Sequence, residues 1–458
     1  MQSFLKNDRV EPKKKNVLQR IKNFEEIYEG FDEHSARAQA DRCVQCGIPY
    51  CHNGCPLDNY IPQWLKLVSG KDFKLAFKMS NESSPFPEIM GRVCPQDKLC
   101  EGACTLNSAF GAITIGSIET FITEEGFKNG FNLGFQGIRT DKKVAVVGSG
   151  PAGLSVATFL LRAGIGVDMY EKEAFAGGLL TWGIPGFKLN KETVFKRVEI
   201  LKNAGLELYL NSEVGKEIDF GELRKKYDAI FLGIGARRSN RANIVGEDSK
   251  NVYQAMDFLG AAQKKELKLD RIEPIDVQDK IVAVIGGGDT AMDCVRTAVR
   301  EGAKKVICYY RRDADGMPGS KKEYKNAIEE GVEFSFFTAP KEILTDSNGR
   351  ARSVVMQKTK LENQNSRGKI VIVEGSEEEI KIDIVVFALG FGMDLPAFVT
   401  AEKIKTDEWN QIVVDKNYET TLGGVYAGGD CFRGANLVVN AALDGREAAK
   451  AIAMKLLG

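Results

Sequence analysis

Histidine is almost absent from this chain, with two in 458 residues. That scarcity disfavours zinc sites completed by imidazole, and no cysteine–histidine pair of the kind used for amide hydrolysis stands out. Met1 is followed by Gln2, so an N-terminal cysteine nucleophile is not expected either. A charge imbalance is also missing: Lys plus Arg and Asp plus Glu both number 63. Without a basic excess, nucleic acid is not expected as a partner. No run of about 18 apolar residues occurs, so no transmembrane helix is expected. The opening MQSFLKNDRVEPKKKN lacks the apolar core of a secretory signal. A cytoplasmic protein without membrane contact is the resulting expectation.

The chain is too long for one ordinary domain, and about three are expected. Residues 1–138 have a helical texture. Ile61, Trp64, Leu65 and Val68 recur at helical spacing behind a proline near the first turn. The Gly-, Asn- and Gln-rich segment from Gly126 to Thr140 reads as a linker. From Lys142 the texture changes to a βαβ unit. Val144–Val147 is a short buried strand; a glycine turn and a helix from about Ala152 to Ala163 follow, then the strand Val167–Glu171. The arrangement recurs about 138 residues later, as Ile281–Ile285, a second glycine turn, a helix to about Glu301 and the strand Lys305–Tyr310. Two such copies predict an α/β protein with two Rossmann-like units. Further strands are expected around 352–360, 369–373, 384–390 and 424–430, and a terminal helix from about Asn436.

The first turn reads Gly148-Ser-Gly150-Pro-Ala152-Gly153. Its glycines serve a tight turn, close approach of a pyrophosphate, and helix–strand packing. The helix N-terminus adds unpaired N–H groups and a partial positive charge. Glu171 ends the next strand, where a carboxylate bonds the ribose hydroxyls of an unphosphorylated adenosine. The second turn reads Gly286-Gly287-Gly288-Asp289-Thr290-Ala291, with alanine in the third position. Its second strand ends on Arg311 and Arg312 instead of an acid. Two guanidinium groups suit a 2′-phosphate, which points to NADP; the plainer alternative is a pair of solvated strand-end charges. The segment Gly424–Asp430 is a strand followed by an acid. In two-dinucleotide flavoproteins such a segment returns to the FAD unit, and the Asp meets the ribityl chain. The helix beyond Asn436 could then point its positive end at the flavin. A simple strand-to-helix turn capped by Asp430 is the alternative.

Seven of the ten cysteines lie in two runs, Cys43, Cys46, Cys51, Cys55 and then Cys94, Cys100, Cys104. Close thiol spacings followed by Cys-Pro favour iron–sulfur ligation over zinc, which prefers paired C-x2-C elements or added histidines. Two four-iron clusters need eight ligands; seven cysteines leave one place for an oxygen ligand. The flavin half contains no C-x-x-C or C-x4-C pair, so the dithiol relay of disulfide reductases is excluded. Electrons leaving a flavin here need another exit, and clusters would provide it.

These motifs together resemble the flavoprotein family of the small (beta) subunit of NADPH-dependent glutamate synthase. VAVVGSGPAGLSVA, GGLLTWGIPGFKLNKE, VAVIGGGDTAMDCVRTA, YYRRDADGMPGSKKE and AGGDCFRGANLVVNAALDGREAA carry the likeness, with both cysteine runs, over nearly the whole chain. The family includes the N-terminal half of dihydropyrimidine dehydrogenase and the large subunit of NADH-dependent ferredoxin–NADP oxidoreductase. The resemblance implies a helical iron–sulfur domain over 1–138, an FAD domain split into 139–275 and 386–458, and an inserted NADPH domain over 276–385. It implies two 4Fe-4S clusters: Cys43, Cys46, Cys51 and Cys104 for the first; Cys55, Cys94, Cys100 and Glu119 for the second. On the residues alone, Glu119 reads as a surface helix position. The resemblance further puts Gly178, Leu179, Lys188, Gly429, Asp430 and Asn436 around FAD, and Gly287–Thr290 and Gly390 around NADPH. The implied activity is NADPH oxidation through FAD and the clusters to a large subunit carrying FMN and glutaminase. The alternative is an NADPH–ferredoxin oxidoreductase subunit.

Overall fold

The computed structural model describes residues 3–269, 275–362 and 368–458; the reading of Met1 and Gln2 lies outside them. The N-terminal part is helical, as its texture predicts. Ile61–Ser69 has proline in its first turn, and it buries Ile61, Trp64, Leu65 and Val68. That stripe packs with Phe77, Ile118 and Ile122 from the helices Phe73–Ser83 and Ile115–Lys128. The linker expected from Gly126 starts after this last helix instead. A Cβ on Gly126 would stand 2.1 Å from the Phe77 ring, so this glycine serves close packing and does not break the helix.

The first sheet is parallel, in the order Val425–Ala427, Ala229–Leu232, Lys143–Val147, Gly166–Tyr170, Leu206–Tyr209. The second is also parallel, in the order Val252–Gln254, Ile384–Phe387, Ile281–Ile285, Lys305–Tyr310, Glu333–Phe336. The second sheet is inserted between strands of the first, because Val425–Ala427 returns to pair with Ala229–Leu232. The boundary expected at 275/276 needs correction. The second sheet already owns Val252–Gln254, a three-residue, half-buried edge strand too short to show a period. Its other limit shifts too, since Ile384–Phe387 continues past residue 385. An antiparallel layer, Thr338–Thr345 against Ala351–Leu361, covers part of the second sheet.

The terminal helix runs Val438–Leu457 and lies on the first fingerprint helix, Pro151–Arg162. Small residues permit this contact: a Cβ on Gly445 would stand 2.3 Å from Ala152 O, and Ser155 Oγ donates to Ala442 O at 2.6 Å. Among the described residues, no helix is long and apolar enough to cross a membrane.

The helical part is tied to both sheets by buried ions. Arg197 donates to Glu88 through Nε (2.7 Å) and Nη2 (2.6 Å), with both side chains at 0% exposure. Arg446 Nη1, on the terminal helix, donates to Leu57 O (2.7 Å) and Ser83 O (3.2 Å). On the other side, Arg20, Arg296 and Arg300 converge on Glu330 at 2.7–3.0 Å. Burial alone would raise the Glu330 pKa, but the Arg300 and Arg296 bonds and charges outweigh it and hold it at about 2.

Glu88→Ala would leave Arg197 buried without its counter-ion, at a cost of about 3–5 kcal/mol. A lowered Tm is expected. A Glu88→Leu/Arg197→Leu double variant is expected to lose less than either single change, measured by the same melting curves.

Candidate functional site

The first glycine turn opens onto a cleft of ≈ 380 Å³, the size of a ligand site and far above a packing defect. Gly148 sits at φ +95°, and a Cβ there would meet Gly233 O at 2.4 Å. A Cβ on Gly153 would meet Gly148 O at 2.0 Å, whereas one on Gly150 would meet nothing within 4 Å and would project into free space. The turn therefore has one glycine whose missing side chain leaves room for a ligand. Gly150 N-caps the helix Pro151–Arg162 without any side-chain cap, so the first-turn N–H groups remain available to an anion. Glu171 closes the cleft at the end of its strand. Its Oε2 accepts from Ser149 N (3.0 Å) and Oγ, and its Oε1 from Glu173 N (2.9 Å).

Gly178, Leu179, Gly429, Asp430 and Asn436 line this same cleft with Gly148, Gly150 and Ala152. Asp444, fully buried, accepts from Gly429 N (3.0 Å) and from Arg433 Nε and Nη2. That grip holds Gly429 at φ +76° and turns Asp430 toward the cleft. Burial raises the Asp430 pKa to about 7, against the Asn436 N–H that it accepts at 3.2 Å. Asn436 stays outside the terminal helix, which starts at Val438.

Lys188 is placed differently from its expectation. It does not line the cleft; its Nζ pairs with Asp293 at 2.8 Å, on the helix of the second glycine turn. Burial disfavours its charge, but the Asp293, Glu323 and Asp289 carboxylates outweigh that and raise its pKa. Lys188 thus links the two dinucleotide units. Conversely, Lys172, Val214, Gly233, Gly235, Arg237 and Leu395 line the cleft without having been singled out. A usable signal was present for part of them. Ala229–Leu232 is a buried strand followed at once by Gly233-Ile234-Gly235, another strand-end glycine turn.

At the second turn, Gly286 lies against Ala388 O and Gly287 against the Tyr310 ring, each with no room for a Cβ. Gly288 is open, like Gly150. Gly390 turns at φ +88°, two residues beyond Ala388. Arg311 and Arg312 follow Tyr310 directly, so they stand at the same edge as the turn. Arg311 is exposed; Arg312 Nη2 donates to Gly368 O at 3.2 Å, and its buried Nε has no hydrogen-bond partner among the described residues. The loop beyond them crosses the helix start: Gly319 N donates to Gly287 O (3.2 Å) and Ser320 N to Asp289 Oδ1 (2.9 Å). Thr290 lies in the first turn of that helix.

The seven clustered cysteines divide between two small cavities. Cys43, Cys46, Cys51 and Cys104 line one; Cys55, Cys94, Cys100 and Glu119 line the other. These are the two ligand sets that the resemblance implies. Among the described residues, no three of His, Cys, Asp and Glu converge as a single metal ion would need; each set surrounds a void, which suits a cluster. Burial pushes the Cys43 thiol to about 11 and the Cys51 thiol to about 12, and Cys94 and Cys100 well above the ordinary value. Buried thiolates need a cationic core to hold them, as iron supplies. In the second cavity Ser84 is fully buried, and its Oγ has no hydrogen-bond partner among the described residues, a donor that suits an acceptor-rich group. Glu119 is 7% exposed, and Asn59 Nδ2 is the one hydrogen-bond donor to its carboxylate among the described residues.

One wall joins the cavities. Leu437, Val438 and Ala441 line the cleft of the first glycine turn, and Val439 lines the second thiol cavity. A dinucleotide ring in the cleft and a cluster in the cavity would stand on opposite sides of one helix start.

Two family models match the chain. One, dihydropyrimidine dehydrogenase domain II, 4Fe-4S cluster, covers residues 20–131; the other, pyridine nucleotide-disulphide oxidoreductase, covers 142–445. The chain is 45% identical over 460 residues to the glutamate synthase NADPH small chain of Escherichia coli (strain K12), covering 98% of this chain and 97% of that one. It is 43% identical over 455 residues to putative oxidoreductase AegA of the same organism, covering 97% of this chain and 69% of the relative. Among solved structures, Mycobacterium tuberculosis FprA in complex with NADPH superposes with a TM-score of 0.60 at 20% identity, over 70% of this chain and 85% of that one. That likeness concerns the fold alone.

The glycine geometry separates folding from binding. Gly150→Val is expected to keep the circular dichroism of the parent and the Tm of the dinucleotide-free parent while failing to bind dinucleotide. Gly153→Val is expected to lose the fold itself, because its side chain must displace backbone.

Proposed function

The chain belongs to the family of the NADPH glutamate synthase small chains, and on that premise we propose that it is the electron-input subunit of such an enzyme. In this reading it oxidises NADPH through FAD and two 4Fe-4S clusters, and passes electrons to a large subunit that carries FMN and glutaminase. There, glutamine and 2-oxoglutarate become glutamate. The observation that carries the reading is the shared wall at Leu437–Val439, which sets a dinucleotide cleft against a thiol-lined cavity.

When bound, FAD supplies the step that the side chains cannot, taking a hydride from NADPH and releasing electrons singly. The chain's own residues bind and orient. Gly148, Gly150, Ala152 and Gly153 would hold the FAD pyrophosphate at the helix start, with Glu171 at the adenosine ribose. Gly178, Leu179, Gly429, Asp430 and Asn436 would line the rest of the molecule. The start of the terminal helix faces the cleft, and its partial positive charge favours negative charge on the ring. Gly287, Gly288, Asp289, Thr290 and Gly390 would hold NADPH, with Arg311 and Arg312 at the 2′-phosphate. Lys188, through Asp293, would keep the two units in register. Cys43, Cys46, Cys51 and Cys104 would bind one cluster; Cys55, Cys94, Cys100 and Glu119 the other.

A second reading, an NADPH–ferredoxin oxidoreductase subunit, draws support from the 43% identity to a relative named only as an oxidoreductase. An anaerobic pull-down of the tagged chain separates the two. A large FMN-containing partner supports glutamate synthase; a second, smaller redox protein supports the alternative.

The purified chain is expected to oxidise NADPH with artificial acceptors and to form no glutamate from glutamine and 2-oxoglutarate. Glutamate formation by the chain alone would overturn the subunit reading. Hydrogen bonds to charged groups contribute about 1.5–3 kcal/mol each. Arg311→Gln and Arg312→Gln are therefore expected to lower kcat/KM for NADPH by roughly tenfold or more each, with NADH use little changed. An unaltered preference would refute the 2′-phosphate assignment.

A further inference from the structure

The second thiol cavity holds a directed chain of hydrogen bonds. Trp64 Nε1 donates to Asn59 Oδ1 at 3.2 Å, and Asn59 Nδ2 donates to Glu119 Oε1 at 2.8 Å. All three residues are buried and line the cavity. The direction follows from the chemistry of the first member. An indole N–H can only donate, so the atom facing it must be the amide oxygen, and the amide NH2 then faces the carboxylate. Replacing the indole would free the amide to turn over.

Asn59 also reaches the first thiol run through its backbone. Its carbonyl accepts from His52 Nδ1 at 3.0 Å, which places the ring proton on that nitrogen, because a carbonyl cannot donate. One residue therefore meets Glu119 of the second set through its side chain and His52 through its backbone. Through His52 it also holds the short helix Tyr50–Asn53, which carries Cys51 of the first set. A simple core role would satisfy the carboxylate fully, and this arrangement does not. Among the described residues, Glu119 has no cationic partner and receives one amide bond, on one oxygen. A buried carboxylate in that state is costly unless something else uses its other oxygen.

We propose that Asn59, oriented by Trp64, is the positioning residue for Glu119: it occupies Oε1, leaves Oε2 as the single oxygen ligand of the second cluster, and raises that cluster's reduction potential. The proposal rests on the reading of Glu119 as a ligand. Donation to a ligand oxygen stabilises the more negative, reduced state, so loss of the donor makes reduction harder.

The test uses the full chain, purified anaerobically, with iron and sulfide counted and both cluster midpoints followed by EPR redox titration. Asn59→Leu is expected to lower one midpoint and leave the other in place. The expected size is a tenfold shift in the reduction equilibrium, ~59 mV for a one-electron couple. Trp64→Phe keeps the ring packing and is expected to lower the same midpoint by less. An unmoved or raised midpoint in an iron-replete Asn59→Leu chain overturns the proposal. If that variant loses iron, Trp64→Phe decides by the same criterion. Glu119→Cys separates the proposal from its premise. Should it leave both signals and midpoints unchanged, the ligand reading fails; should it move one midpoint that Asn59→Leu does not, only the role of Asn59 fails.

Discussion

The ion pair between Glu88 and Arg197 is the constraint on which the rest of the arrangement depends. Glu88 lies on the helix Pro87–Val93, which leads straight into Cys94. Arg197 lies on Lys191–Asn203, which packs beside the first sheet. Two charges at 0% exposure hold the cysteine-bearing helices against the dinucleotide unit. A surface bridge could not do this, because screened pairs contribute little and let side chains wander. A buried bidentate pair is costly to separate in either direction. It therefore works as a lock that keeps the thiol cavity and the cleft at one distance, with Arg446 as a second tie from the terminal helix.

The interleaving of the two thiol sets has a local cause. Cys51 and Cys55 are four residues apart yet face different cavities. Between them the short helix Tyr50–Asn53 ends at Gly54, where a Cβ would stand 2.8 Å from Ala103 Cβ and 3.2 Å from Leu99 O. The chain must pass that close to the 99–104 segment to deliver Cys55 to the second cavity. The second run repeats the exchange, with Cys100 in one cavity and Cys104 in the other. Neither cavity can form without both runs, so the helical part has to assemble as one unit.

Much of this was legible in the sequence, and for identifiable reasons. The glycine fingerprints were readable because their backbone geometry tolerates few other residues. The two Rossmann-like units followed from the repeat of one βαβ unit, whereas the insertion of the second sheet and the return of the 424–430 segment were carried by likeness to two-dinucleotide flavoproteins. The cysteine sets were carried by resemblance, and the structure assembles the same two groups of side chains. What was not legible depends on tertiary contact. Gly126 looked like a linker residue because nothing local reveals the Phe77 ring beneath it. Lys188 pairs with a carboxylate 105 positions along the chain. Val252–Gln254 is an edge strand too short to carry a period. Asn59 carries no motif; its meaning appears only once Trp64 and Glu119 stand on either side of it.

The order of the three cavities constrains any account of electron flow. The cleft meets the second thiol cavity across Val438 and Val439, and the second meets the first across Cys55, His52 and Cys51. The lining of the first cavity includes no residue of the terminal helix. A centre held by Cys55, Cys94, Cys100 and Glu119 would therefore stand between the flavin and the outer centre, not beside it. This makes the ligand chemistry of the inner site decisive. A carboxylate in place of a fourth thiolate would alter the potential of a cluster held there, and the Asn59 hydrogen bond on that carboxylate would adjust it further. The Trp64 and Asn59 side chains sit where such an adjustment would reach an inner centre through Glu119, while the Asn59 backbone, through His52, touches the helix that carries Cys51.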